Sequence, residues 1–193
     1  MRIMLVGEGA HELSGAMECL VRRLVTTEIT EVAHHPVSSS KVRTTSGKGA
    51  GYTKRALAWV RHAEKEGFDG IVFLIDEDGV RNRVREISDA QHSDALTFKR
   101  ALGVAVRTIE AWFLADHQAL SRVLGMTIDM QPEPESIARP KEHLWKLVKS
   151  ALVDARGRDI YANLAAEVDL ATLETRCPLG FRDFARRVRS LSA

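Results

Sequence analysis

An α/β fold, a mostly parallel sheet flanked by helices with a C-terminal helical extension, follows from three observations on the sequence. Short apolar runs alternate with helix-period stretches through the first 129 residues, the order of a parallel sheet joined by crossover helices. The two clearest runs, 2–7 (RIMLVG) and 70–75 (GIVFLI), are apolar almost throughout rather than alternating, as strands covered on both faces are. From residue 130 onward the strand-like runs stop and only helix-period segments remain.

Taken in order, residues 2–7 read as a buried strand. A helix follows at about 12–26, where Leu13, Ala16, Met17, Leu20, Val21, Leu24 and Val25 share one face. A second strand is expected at 29–37 (ITEVAHHPV), closed by Pro36; SSSKVRTTSGKGAG, rich in Ser, Thr and Gly, is then a loop. A helix over about 52–66 stops at Gly67, and the strand 70–75 runs into Asp76-Glu77-Asp78-Gly79. A short polar helix near 82–92 leads to a fourth strand, 102–108 (LGVAVRT). The next helix opens at about 109 and turns Ile109, Trp112, Phe113, Ala119, Leu120 and Val123 inward. After the connector QPEPESIARP, helices are expected at about 141–153, 159–175 and 180–191, the last with Phe181, Phe184, Ala185 and Val188 on one stripe. Residues 1–129 thus form the α/β domain and 130–193 a helical extension packed on it. Trp59, Trp112 and Trp145 fall at core spacing.

The composition excludes several classes. A chain of 193 residues buries roughly 70% of its unfolded surface and needs no disulfide or structural metal to fold. Its two cysteines, Cys19 and Cys177, form no CxxC and no Cys/His spacing of a zinc site; Cys19 falls among apolar helix positions as a buried thiol would. A net charge of +2 makes no case for nucleic acid by itself. No apolar stretch approaches the ~20 residues that span a bilayer. MRIMLVGEGAHE opens a core strand rather than a signal peptide, so a cytoplasmic protein without membrane contact is expected.

Ligands of a parallel sheet bind at the carboxyl ends of its strands, and acids gather there by spacing alone. Glu8 ends the first strand, Asp76 and Asp78 end the third, and Glu110 opens the helix after the fourth. Glu12 lies one helical turn beyond Glu8. Two carboxylates ~4 Å apart repel by ~4 kcal/mol at an effective dielectric near ~20, so such a cluster must be protonated, splayed or neutralised by a cation. Hard oxygen donors without Cys or a His pair select magnesium or manganese.

The order VGEGAHE, then IDEDG at 75–79, resembles the Toprim (topoisomerase–primase) superfamily over about residues 2–115. The continuation RTIEAWFLAD (107–116), RPKEHL (139–144) and LGFRDFARRV (179–188) is similar to a small stand-alone Toprim-like family of unknown function, itself similar to the Toprim half of OLD-type nucleases and often associated with ATPases of defence systems. The resemblance implies Glu8 as a proton-handling group or metal ligand, Asp76 and Asp78 as magnesium ligands, and Glu12 as the second acid of an EGxxE pair. It implies no role for Glu110 or Asp116, which match that family's later acidic segment. It leaves the basic residue that some Toprim nucleases place beside the leaving group without a match. The expected activity is magnesium-dependent phosphodiester cleavage or phosphoryl transfer on a nucleic acid or nucleotide phosphate. The alternative from another class is a non-catalytic partner subunit of an ATPase.

Other readings of the same residues are weaker. IDEDGV also resembles the DxDx[TV] motif of haloacid-dehalogenase phosphatases, but that motif belongs on the first strand of its domain, and no later GDxxxD pair appears. A response-regulator receiver needs an acid pair on strand one and a lysine on a fifth strand; neither is present. KVRTTSGKGAGYTKR is basic and Gly-rich but lacks the spacing of a Walker A loop. Lys48 within it, and Arg81, Arg83 and Arg85 directly after the aspartates, are the candidate phosphate-binding cations. Arg186, Arg187 and Arg189 read as the wet face of the last helix. His34 and His35 are neighbours on a strand and cannot both ligate one ion; His11 reads as a helix-start surface residue. Asp116, seven positions after Ile109 on an inward face, must be met by a cation, an arginine or a helix N-terminus.

Overall fold

The computed structural model describes residues 1–9, 15–42, 51–80, 82–94, 96–151 and 157–193. Glu12, Lys48, Arg81, His11 and most of the basic Gly-rich loop lie outside them.

The alternation expected from the sequence is present. Strand β1 (Arg2–Gly7) leads through α1 (Met17–Leu24) to β2 (Glu31–Pro36), through α2 (Tyr52–Lys65) to β3 (Gly70–Asp76), and through α3 (Asn82–Gln91) to β4 (Arg100–Ala105). The four strands form one sheet, entirely parallel, in the order β2-β1-β3-β4. β1 is therefore central, with its first crossover going to one side and the next to the other. The gap between β1 and β3, where the winding reverses, is the switch point at which α/β proteins hold ligands. β3 is buried from Gly70 to Ile75, as a continuously apolar strand covered on both faces must be.

Each face of the sheet has its own core. One is built by Met4, Val6, Ile71, Phe73, Ile75 and Leu102 against Ala56, Trp59, Val60 and Ala63 of α2 and Ile87 and Ala90 of α3. The other joins Ile3, Leu5, Val72, Leu74 and Ala101 to α1 and to every helix beyond residue 109. The described helices beyond residue 130 pack on the sheet as a layer of this core. Phe181, Phe184, Ala185 and Val188 are all buried, on the expected stripe of the last helix, α9 (Phe181–Arg189). Phe184 lies over Gly103 of β4 so closely that a Cβ added there would stand 2.6 Å from its ring. Burying such a ring contributes roughly 1.5–3 kcal/mol. Trp59 and Trp112 are fully buried, whereas Trp145 and Cys19 pack half-buried at the core's margin.

The departures from expectation are local. The helix expected to run on from 109 breaks into α4 (Glu110–Ala115) and α5 (His117–Leu124). Asp116 leaves helical geometry at φ −108° and ψ 86°, and its carboxylate accepts the amide N–H groups of Gln118 and Ala119, capping α5. A 3₁₀ turn (Pro134–Ser136) and α6 (Pro140–Ser150) follow. The single helix expected at 159–175 is two, α7 (Gly157–Glu167) and α8 (Leu170–Arg176), because Asp169 caps α8 through the Thr172 amide. β4 ends at Ala105 rather than 108, and the chain turns there with Arg107 in the left-handed region at φ 62°. His34 pairs with Glu18 at 2.8 Å while His35 stacks on Trp59, so the two histidines face apart as alternation requires.

Candidate functional site

The parallel register sets Gly7 beside Leu74, so the residues that follow β1 and β3 emerge together at the switch point. Glu8 leaves β1; Asp76 closes β3; Glu77, Asp78 and Gly79 turn the chain toward α3. The turn needs left-handed backbone at both Asp78 (φ 49°) and Gly79 (φ 73°), a conformation that Asp tolerates and Gly adopts freely. It is tied to the turn after β4 by Glu77 N–H donating to Ala105 O (2.9 Å), Asp78 N–H to Arg107 O (3.1 Å) and Arg107 N–H to Glu77 Oε2 (3.2 Å).

Arg83, in the first turn of α3, occupies the middle of this acidic group. Its Nη1 donates to the Asp76 carbonyl oxygen at 2.6 Å, to Asp78 Oδ2 at 2.9 Å and to Glu8 Oε2 at 3.3 Å. Its guanidinium carbon lies 4.9 Å from the centre of the Tyr52 ring, at the start of α2. Glu8 is fixed from both ends: Oε1 accepts the Tyr52 hydroxyl at 2.6 Å, and Oε2 accepts the Asp76 amide at 3.2 Å. Burial, and then the neighbouring Glu8 carboxylate, push the Tyr52 hydroxyl up to about 12, so it remains a protonated donor at neutral pH. Asp76 Oδ1 accepts the Ile109 amide at 3.0 Å, pinning the turn before α4.

Of the acids singled out in the sequence, Glu8, Asp76 and Asp78 therefore come together. Glu110 is 2% exposed and accepts the Tyr161 hydroxyl at 2.5 Å. Asp116 receives a third N–H, from Asp169, at 2.8 Å, so helix starts meet its charge, as one of the three expected solutions required. Among the described residues no three His, Cys, Asp or Glu side chains group as a metal site would. Arg83 faces the acids, and Arg85 projects into solvent, loosely paired with Asp89 at 4.0 Å. Tyr52 and Arg107 were not signalled by the sequence. Tyr52 reads only as a helix start after a loop, and the apparent strand through 108 conceals the turn that presents Arg107.

The donor chemistry fits a hard divalent cation, since the carboxylates of Glu8 and Asp78 and the carbonyl of Asp76 offer oxygen alone. In the structure these oxygens are met by the Arg83 guanidinium. The fold and this site define a parallel α/β protein with an acidic cluster gathered around one arginine at its switch point. The chain belongs to the family described as "Domain of unknown function (DUF4276)", which it matches over residues 13–189. Asp76, Asp78, Arg83 and Arg107 fall inside that segment and Glu8 precedes it. No curated protein and no solved structure matches the chain. Among the described residues, no helix is long and apolar enough to cross a membrane.

Proposed function

We propose that the protein is a Toprim-like, magnesium- or manganese-dependent enzyme that cleaves or transfers phosphodiester or phosphoryl groups of a nucleic acid or nucleotide in the cytoplasm. One observation supports this most: carboxylates from two adjacent strand ends, Glu8 and Asp78, converge on a single cationic atom, Arg83 Nη1. A bound divalent ion would polarise the phosphate and lower the pKa of its water. Glu8 and Asp78, with the Asp76 carbonyl, are the residues to hold it. Glu8, oriented by Tyr52 and the Asp76 amide, is the group placed to take a proton from a nucleophile. Arg83, displaced from the acids, carries a guanidinium suited to a phosphate oxygen.

The test is a pair of isosteric variants. Glu8→Gln should still bind manganese and cut a phosphodiester substrate at least ~100-fold more slowly, the typical loss for a general base. Asp78→Asn should lose the metal-induced rise in melting temperature as well, since an ion bound only by the folded state stabilises it by mass action. An unchanged melting curve of the wild type at millimolar metal would remove the metal site.

Arg83 also favours a second reading, a non-catalytic partner subunit of an ATPase, because an internal guanidinium already neutralises the acids without any ion. A wild type that leaves supercoiled plasmid and nucleotides uncut in manganese, and that co-purifies with an ATPase, would put this reading first.

A further inference from the structure

We propose that the cavity between the turn after β4 and the start of α6 is a phosphate-binding subsite, anchored by Arg107 and walled by the helical extension. The inference deepens the preceding reading, on which it rests for the identity of the reacting centre, but phosphate binding here requires no metal. The cavity holds about 320 Å³ and is lined by Asp78, Arg107, Thr108, Arg139, Lys141 and Glu142 among others. It begins at an acid of the strand-end site and ends at the first turn of α6, so a phosphate within it would sit directly beside that site.

Three features indicate an anion. The first is Arg107 itself. Half-buried arginines elsewhere, such as Arg100 and Arg187, donate to carbonyl oxygens. The Arg107 guanidinium has no hydrogen bond or ion pair with any described residue, although it lies near Gly79, whose added Cβ would stand 3.9 Å from Nη1. Its backbone is held at φ 62°, an arrangement that costs free energy in a residue other than glycine and that is retained where surrounding contacts fix it. The second is Thr108, whose Oγ1 is buried without a partner while its residue lines the cavity. A phosphate oxygen would accept from that hydroxyl. The third is α6, whose N-terminus carries no side-chain cap and opens on the same space with Lys141 in its first turn. Arg139 and Glu142, paired at 3.3 Å on the rim, supply one charge of each sign and nearly cancel. The net attraction comes from Arg107 and Lys141, opposed by Asp78.

Of the cations singled out in the sequence, Arg83 and Arg85 do not line this cavity, and Lys48 and Arg81 lie outside the described residues. Three segments far apart in the chain, 78–79, 107–108 and 138–142, make it instead.

The experiment measures binding in EDTA, so that metal plays no part. Inorganic phosphate should raise the melting temperature of the wild type, and a fluorescent single-stranded oligonucleotide should bind at low salt. Arg107→Gln should weaken both at least ~10-fold and lower the salt slope of the oligonucleotide by about one. Arg107→Gly should lose the same binding while melting no lower than wild type, because glycine relieves the left-handed backbone; loss of binding cannot then be attributed to unfolding. Lys141→Gln should weaken both ligands to a smaller degree. Asp78→Asn removes the opposing carboxylate and should bind phosphate at least as tightly as wild type while losing the metal response. Wild-type affinity in both Arg107 variants would overturn the subsite, whatever the metal result. Arg107-dependent phosphate binding without any metal response would keep it and remove the metal-dependent activity. A nucleoside monophosphate that competes as well as the oligonucleotide identifies one phosphate as the ligand, and a weaker competitor identifies a strand; both support the subsite.

Discussion

The protein carries two sets of acids, and they differ in what surrounds them. Asp116, Glu110 and Glu135 are buried and paired with hydrogen-bond donors of the fold: three amides for Asp116, the Tyr161 hydroxyl for Glu110, and the Leu179 and Gly180 amides for Glu135. Burial pushes the Glu135 carboxyl up and those two amides offset part of the effect. Glu8 and Asp78 are partly open to solvent, with side-chain exposures of 29% and 51%, and share one arginine from a neighbouring helix. In the sequence Glu110 and Asp116 look like Glu8 and Asp78, acids at the ends of apolar runs, while Glu135 lies in the Pro-rich connector. The first set holds segments together; the second gathers its negative charge around one guanidinium, with the Tyr52 hydroxyl and the Asp76 amide also on Glu8.

Substitutions in the two sets should separate stability from binding, and the sizes should fall in order. Asp116→Ala leaves three amide donors without an acceptor and should destabilise by about 3 kcal/mol, read from urea unfolding. A wild-type midpoint would break the comparison. Tyr161→Phe withdraws the hydroxyl from buried Glu110 and should cost about 2 kcal/mol, with the metal response intact; loss of that response would move Glu110 into the site.

Asp169→Ala removes the cap of α8 and should cost about 1 kcal/mol at neutral pH. The Thr172 hydroxyl and amide hold the Asp169 carboxyl below its ordinary value. Because the folded value is the lower one, its charged form stabilises above the ordinary carboxylate range, and that contribution fades as pH falls through the depressed value. The gap between wild type and variant should therefore close in acid; a gap that widens would mean the charge is not what matters. Smallest of all, Asp78→Asn should change stability by no more than about 0.5 kcal/mol. A large loss there would make the open set structural as well.

The strands and helix stripes were legible because periodicity reports burial, and β1, β3 and the stripe of α9 lie where their apolar residues put them. The breaks at Asp116 and Asp169 were not, because a cap is a contest between side-chain and backbone hydrogen bonds that leaves the apolar period untouched. Glu8, Asp76 and Asp78 were legible through the rule that strand ends meet at the switch point. The place of Arg83 was not: spacing puts it near the acids but cannot show that it stacks on Tyr52, which arrives from another helix. Arg107 stayed hidden because Val106 carries the apolar run of Val104 and Ala105 past the end of β4.

The close seating of Phe184 on Gly103 has a consequence for how the chain is made. Over β4 this face of the sheet is closed by α9, with the Lys99 ammonium clasping the carbonyl oxygens of Leu191 and Ala193. During vectorial synthesis β1, β3 and β4 are made well before residues 181–193, so that part of the apolar face stays wet until those residues emerge. Nascent chains stalled before Phe181 would expose Leu74 and Ala101, the kind of surface that chaperones hold and that aggregates at high concentration.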